Sequence, residues 1–220
     1  MAQGKSAADY YNSGIEKINL RDTAGALRDF SKSLELDSSS FSLYSNRGMI
    51  YTYLGKYSEA IRDYDSAIKQ YPLVPEFYGS RGNVKAMSHD MQGAIADFTK
   101  VIELRPGDAT ALVNLGNLKH NIADYKGALK EFDKAIEADK NNPSFYLRRS
   151  DTRDVLKDYD GAIKDASKSI ELSPDYGEAY YYLALAEYDS GKKTAACNDY
   201  KKAISLGFRP FKNAISIPCN

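Results

Sequence analysis

The chain runs to 220 residues, 43% of them apolar, which is enough to bury the core of one or two domains. Thirty lysines and arginines balance thirty aspartates and glutamates, so no overall field draws the molecule to nucleic acid or to an anionic membrane surface. No apolar run approaches the ~18 residues that a membrane-spanning helix needs.

In chain order, residues 1–6 are an extension. The opening MAQGKSAADYY lacks the charged and apolar stretches of a secretory signal. A cytoplasmic start is expected, with a mature secreted or periplasmic chain whose signal peptide is missing as the alternative. From Ala7 a 34-residue pattern repeats six times without insertion, in copies 7–40, 41–74, 75–108, 109–142, 143–176 and 177–210, and residues 211–220 form a tail. A fixed period of this length marks stacked repeats forming a single domain over 7–210. Within a copy, apolar residues recur at helical spacing in two blocks, such as Tyr44, Met49, Ile50, Tyr51 and Leu54, then Ala60, Ile61, Tyr64, Ala67 and Ile68. Each block predicts one amphipathic helix.

Between the two blocks lies a turn, where Asp22, Asp90, Asp124 and Asp158 are placed to cap the second helix. Pro72, Pro106 and Pro174 end that helix. The eighth place of each copy is small (Gly14, Gly48, Gly82, Gly116, Ser150, Ala184), and the twentieth is always alanine. Small residues there let the paired helices cross closely. The twenty-fourth place is aromatic except at Ala166, which with Ser150 is a departure from the pattern. An acid fills the twenty-third place of every copy, and lysine fills the twenty-sixth in all but the second. Three apart on a helix, these predict weak pairs of ~0.2–0.5 kcal/mol on a solvated outer face.

This spacing of small residues, alanine, aromatic and proline resembles the tetratricopeptide (TPR) repeat, with tyrosine where that family often has tryptophan. The resemblance covers residues 7–210 and implies an all-α, right-handed superhelical solenoid of six helix-turn-helix repeats. In such a solenoid the first helices line a concave groove at places 2, 5, 6, 9, 12 and 13. Those places hold Asn46, Asn83, Asn114, Asn117 and Asn121, whose amides suit hydrogen bonds to an extended peptide backbone. They also hold His120, Arg148, Asp151 and Asp154, and in the last copy Tyr181, Tyr182 and Tyr188, amphipathic rings of the kind enriched at interfaces. With Glu76, Glu178 and Asp189 added, five acids face one strong base, so a basic or neutral ligand is expected toward the C-terminal half.

The family's carboxylate clamp for chaperone C-termini is matched by Asn83, Asn114 and Arg148, but Gly79 and Ser144 stand where its two lysines belong. No catalytic constellation, phosphate loop or metal motif appears, and His89 and His120 have no nucleophile beside them. The expectation is therefore a non-enzymatic protein-interaction module without cofactor or metal, binding a protein or peptide and not nucleic acid. The alternative is a scaffold that self-associates through the repeat ends or the tail. Over residues 207–220, Phe208, Phe211, Ile215 and Ile217 could fold back over the last repeat and bring Cys219 toward Cys197. Two cysteines cannot build a disulfide framework, and two unpaired thiols, with Cys197 in the core, are the expectation.

Overall fold

The computed structural model describes residues 4–209 and 217–219. The chain divides into two compact units, Met1–Pro106 and Gly107–Asn220. Among the described residues there are twelve α-helices and no strand. The first unit holds α1 (Ala7–Asn19), α2 (Thr23–Leu36), α3 (Phe41–Tyr53), α4 (Tyr57–Gln70), α5 (Pro75–Met87) and α6 (Met91–Leu104). The second holds α7 (Ala109–Asn121), α8 (Tyr125–Ala138), α9 (Pro143–Val155), α10 (Tyr159–Leu172), α11 (Gly177–Asp189) and α12 (Lys193–Ser205). Consecutive helices pair, and within each unit the pairs stack in chain order.

The turn inside each pair is built from three places. The fifteenth takes a left-handed backbone in all six copies, at Arg21, Gly55, His89, Ala123, Lys157 and Gly191. The sixteenth is the N-cap. The carboxylates of Asp22, Asp90, Asp124 and Asp158 accept from the backbone N–H of Gly25, Gly93, Gly127 and Gly161 at 2.8, 2.9, 3.0 and 3.1 Å. The nineteenth place is glycine in these four copies because a Cβ there would occupy the space of the capping carboxylate. Where Lys56 and Lys192 replace the aspartate, no side-chain cap forms and Glu59 and Ala195 replace the glycine.

The crossing of each pair is set by the eighth place against the twenty-fourth. A Cβ on Gly116 would come within 2.5 Å of the Phe132 ring, and one on Gly48 within 2.9 Å of Tyr64. In the fifth pair the two departures from the pattern compensate one another. Ala166 vacates the space of the ring, Ser150 fills it, and the Ser150 hydroxyl donates to the Ala162 carbonyl at 2.8 Å. Gly116→Ala is expected to lower stability by ~1–2 kcal/mol, because overpacking of ~1–3 kcal/mol exceeds the ~1 kcal/mol gained in helix propensity. Urea unfolding checks this, and adding Phe132→Leu should recover most of the loss.

The acids of the twenty-third place correct the expectation of a solvated stripe. Asp63, Asp97, Glu131 and Asp165 are buried, because their face of the second helix turns toward the first helix of the same pair. Arg47 grips Asp63 with two nitrogens at 2.8 and 2.6 Å, and Arg149 grips Asp165 at 2.8 and 2.7 Å. Arg81 holds Asp97 in the same way. Cations of the eleventh place complete the sites: Lys85 on Asp97 at 2.9 Å, Lys119 on Glu131 at 2.7 Å and Arg153 on Asp165 at 2.7 Å. The third nitrogen of each arginine reaches back to the preceding pair, from Arg81 to Asp65 at 2.5 Å and from Arg149 to Asp133 at 2.7 Å. One guanidinium thus links three helices. The lysines of the twenty-sixth place turn instead to the twenty-ninth, as Lys32–Glu35, Lys100–Glu103 and Lys168–Glu171. Lys134 alone of them pairs with the acid three residues before it, Glu131, at 2.9 Å.

One further correction concerns the C-terminal end. Cys197 and Cys219 are joined by a disulfide, with their Cα atoms 5.3 Å apart. Ile217 is 3% exposed and packs against Ala184 and Ala196, with Leu185, Tyr188 and Tyr200 around it. Phe208 lies against Tyr181, with ring centroids 4.9 Å apart. Phe211 and Ile215 lie outside the described residues.

Candidate partner-binding face

Stacking places the first helices of a unit side by side. The twelfth place of one then meets the sixth, ninth, tenth and thirteenth of the next, and this register shapes a series of sockets. In the first unit, Ile18 of α1 and Asn46, Met49, Ile50 and Tyr53 of α3 line a socket of about 420 Å3, with Arg21 and Thr23 at its rim. One repeat on, Thr52 of α3 faces Ser80, Asn83 and Val84 of α5 in a socket of about 340 Å3 that shares the Met49–Tyr53 wall. The two are built from the same places with different chemistry. Ile18 becomes Thr52, Asn46 becomes Ser80, and Met49 becomes Asn83, so an apolar socket is followed by a hydroxyl-and-amide one. Tyr53 is 84% exposed, a large ring offered to water beside both.

In the second unit the register continues, but charge replaces apolar surface. His120 of α7 occupies the twelfth place and inserts against α9, with Nδ1 2.9 Å from the Thr152 hydroxyl and Nε2 3.9 Å from Asp151. The Thr152 hydroxyl donates its proton to the Arg148 carbonyl at 3.0 Å. The Thr152 hydroxyl thus bridges the His120 ring and the α9 backbone, and Nε2 lies on the Asp151 side of the ring. Tyr125 packs on the ring edge, centroids 5.2 Å apart. One helix pair on, Asp154 of α9 lies beside Asp189 of α11, Tyr182 of α11 lies beside Asp151, and Arg148 reaches Glu178 at 3.7 Å.

Burial, then the charges of Asp189 and Asp151, pushes the Asp154 carboxyl up to about 6, and one of its oxygens is buried without a donor among the described residues. Burial also raises Asp151, against the pull of His120 and Arg148. Burial, together with Asp151, raises the Tyr182 hydroxyl to about 12, so it stays a neutral donor.

The residues expected from the sequence thus fall into three groups. Asn46 and Asn83 line the sockets of the first unit. His120, Arg148, Asp151, Asp154 and Tyr182 come together in the second. Asn114, Asn117 and Asn121 lie along α7, partly or fully exposed. No side-chain hydrogen bond engages any of the five asparagines among the described residues. Tyr181 departs from expectation: it is 7% exposed and packed against Tyr182, Tyr200 and Phe208, so it belongs to the interior. Tyr188 packs against the cluster of Ala184, Ala196 and Ile217. Glu76 is neutralised by Arg105 at 2.6 Å, which leaves the acidic surplus of the first helices on the second unit. The sequence reading missed Arg21, which belongs to the turn after α1 and not to a groove place. It carries no ion pair among the described residues. Also among the described residues, no three His, Cys, Asp or Glu gather as a metal site, and no helix is long and apolar enough to cross a membrane.

Models of the tetratricopeptide repeat match residues 41–72, 109–142 and 146–210, together more than half of the chain. Among solved structures, the fold is similar to that of a tetratricopeptide repeat protein from Parabacteroides merdae, at 20% identity over 94% of this chain and 82% of that one, with a TM-score of 0.83. It is similar to MamA from Desulfovibrio magneticus at 23% identity over 76% of this chain and 94% of that one, TM-score 0.71. It is also similar to YrrB, described as a TPR protein with an unusual peptide-binding site, at 19% identity over 80% and 91%, TM-score 0.66. At these identities the likeness is one of fold. No curated protein sequence matches the chain.

Proposed function

The chain belongs to the tetratricopeptide repeat family, and from that premise we propose that it is an interaction module whose first-helix faces hold an extended segment of a protein partner. We assign it no catalytic step. The observation that carries the reading is the set of five asparagine amides left without partners among the described residues, in a molecule where the buried acids Asp63, Asp97, Glu131 and Asp165 are all engaged. A free amide can both donate to and accept from a main chain without dictating its sequence, and the sockets beside them supply selectivity. The apolar socket between Ile18 and Met49 suits one bulky apolar side chain. The Asp151, Asp154 and Asp189 side of the second unit suits a lysine or arginine. YrrB, named for its peptide-binding site, shows that this fold can serve such a role.

Lys/Arg-bearing peptides are expected to bind more tightly than Asp/Glu-bearing ones, by about tenfold at low salt for ~1.4 kcal/mol of charge complementarity, and less at high salt. Asp154→Asn with Asp189→Asn should erase the preference. Asn46→Ala with Asn83→Ala should weaken both sets alike by about tenfold, at ~0.5–1.5 kcal/mol per lost hydrogen bond. A preference for the acidic set would refute the charge assignment. Affinity for the basic set should also fall as pH drops through about 6, where Asp154 takes up its proton. Calorimetric titration on the two sides of that value measures it.

A further inference from the structure

The disulfide ties residues 217–219 to the last helix pair. Ile217 buries its side chain against Ala184 and Ala196, and the surrounding Leu185 and Tyr188 stand at the ninth and twelfth places of α11. In earlier helices those same places hold Met49 and Asn83, and Ile18 and Thr52, which line sockets. Residues 217–219 therefore cover the part of α11 that corresponds to the partner face elsewhere. Their anchoring is sparse. Among the described residues, no backbone hydrogen bond ties 217–219 to the helices. Among the described residues, what holds them is one apolar side chain and the bond from Cys219 to Cys197 of α12. A single buried side chain does little against the entropy of a free chain end, so the covalent bond decides whether the segment stays in place. Both cysteines are partly exposed, which leaves the sulfurs open to an attacking thiolate.

We propose that the Cys197–Cys219 bond is a thiol-sensitive latch: a dithiol reductant opens it, the segment around Ile217 leaves, and the Leu185–Tyr188 surface of α11 is uncovered. In the exchange a reductant thiolate attacks one sulfur, forming a mixed disulfide and expelling the other protein sulfur as a thiolate. The second thiol of the reductant then closes its own disulfide. Two electrons and two protons pass to the protein, giving two cysteine thiols and one oxidised dithiol. Opening extends the partner face by one helix; this consequence for binding, unlike the latch itself, rests on the function proposed above.

Hydrogen exchange on the full chain tests the latch without a partner. Dithiothreitol should raise exchange in α11 and the first turns of α12 by about tenfold while leaving α7–α10 unchanged. Iodoacetamide labelling read by mass should rise from no cysteine to two. Cys219→Ser should show the open pattern without reductant and no response to it, and Ile217→Asp should expose α11 with the bond intact. Equal exchange in oxidised and reduced chains, or two labelled thiols before reduction, would overturn the latch. Titration of a Lys/Arg peptide into both forms separates the two claims. Exchange that opens with unchanged affinity refutes the gating alone, and no binding to either form refutes the proposed function and leaves the latch standing.

Discussion

Asp165→Ala is expected to cost ~3 kcal/mol, because breaking a buried ion pair leaves its desolvated partners short of a counterion. The carboxylate sits at 3% side-chain exposure and accepts from Arg149 at 2.8 and 2.7 Å and from Arg153 at 2.7 Å. Its removal takes the shared carboxylate from two guanidiniums between α9 and α10, leaving Arg149 its link to Asp133 and the Tyr146 ring and Arg153 a 3.6 Å contact with Asp158 and the Gly161 carbonyl. Lys168→Ala, on the same helix but with its Glu171 partner in solvent, should cost less than ~0.5 kcal/mol. The contrast distinguishes an internal brace from a surface ion pair of similar length. Urea unfolding of the two variants reads it directly. Replacing Asp165, Arg149 and Arg153 together by apolar residues of similar size should be far milder than Asp165→Ala alone, since that change leaves no orphaned charge. Equal losses for Asp165→Ala and Lys168→Ala would show that the twenty-third place is mere surface after all.

That place also shows where reading by sequence stops. The period, the helix pairs, the aspartate caps and the close crossing at the eighth and twentieth places all follow from local spacing, and the structure holds them. Asp97 of the twenty-third place had Lys100 three residues on, a sufficient local partner, and its true partner, Arg81, lay sixteen residues back on another helix. Spacing along one helix cannot weigh such a competitor. Ser150 and Ala166 looked like two flaws for the same reason, because their compensation is a contact across the pair. Of the candidate site, the asparagines were legible as residue types on one helical face. The lack of any internal partner for them was not, and neither was the insertion of His120 against Thr152. Tyr181 was misplaced because Phe208, which covers it, stands where three other copies close on proline and so departs from the repeat. The disulfide depends on the non-repeating tail, where periodicity carries no information.

The last pair breaks the brace, and Glu187→Lys is expected to restore it. Its seventh place is Leu183 and its eleventh is Glu187, where Lys17, Lys85, Lys119 and Arg153 stand in other copies. Asp199, at the twenty-third place, therefore faces a second carboxyl in place of a cation. Burial first, and then Asp199, pushes Glu187 up to about 7, and burial raises Asp199 as well. An acid whose folded pKa lies above its unfolded value binds its proton more tightly in the fold. The stability it contributes is present at low pH and is lost as pH rises from about 4.5 to about 7. Because these carboxyls are partly exposed, solvent screening reduces that loss to ~1–2 kcal/mol, below what the shift alone implies.

Glu187→Lys removes the like-charge contact and supplies Asp199 with a counterion, so at about pH 7.5 it should raise Tm by ~2–6 °C, at ~2–4 °C per kcal/mol for a chain of this size. Near pH 5, where the parent keeps its proton, the gain should shrink below ~1 °C. Glu187→Gln isolates the two effects: it should flatten the same pH dependence, with a smaller rise, because it removes the repulsion without adding the cation. Asp154, raised to about 6 on α9, adds a slope of the same sign that both variants retain, so the difference from the parent is the quantity to compare. Thermal melts of the three chains at the two pH values provide the check. A gain of equal size at both would mean that lysine acts through packing and not through the missing charge.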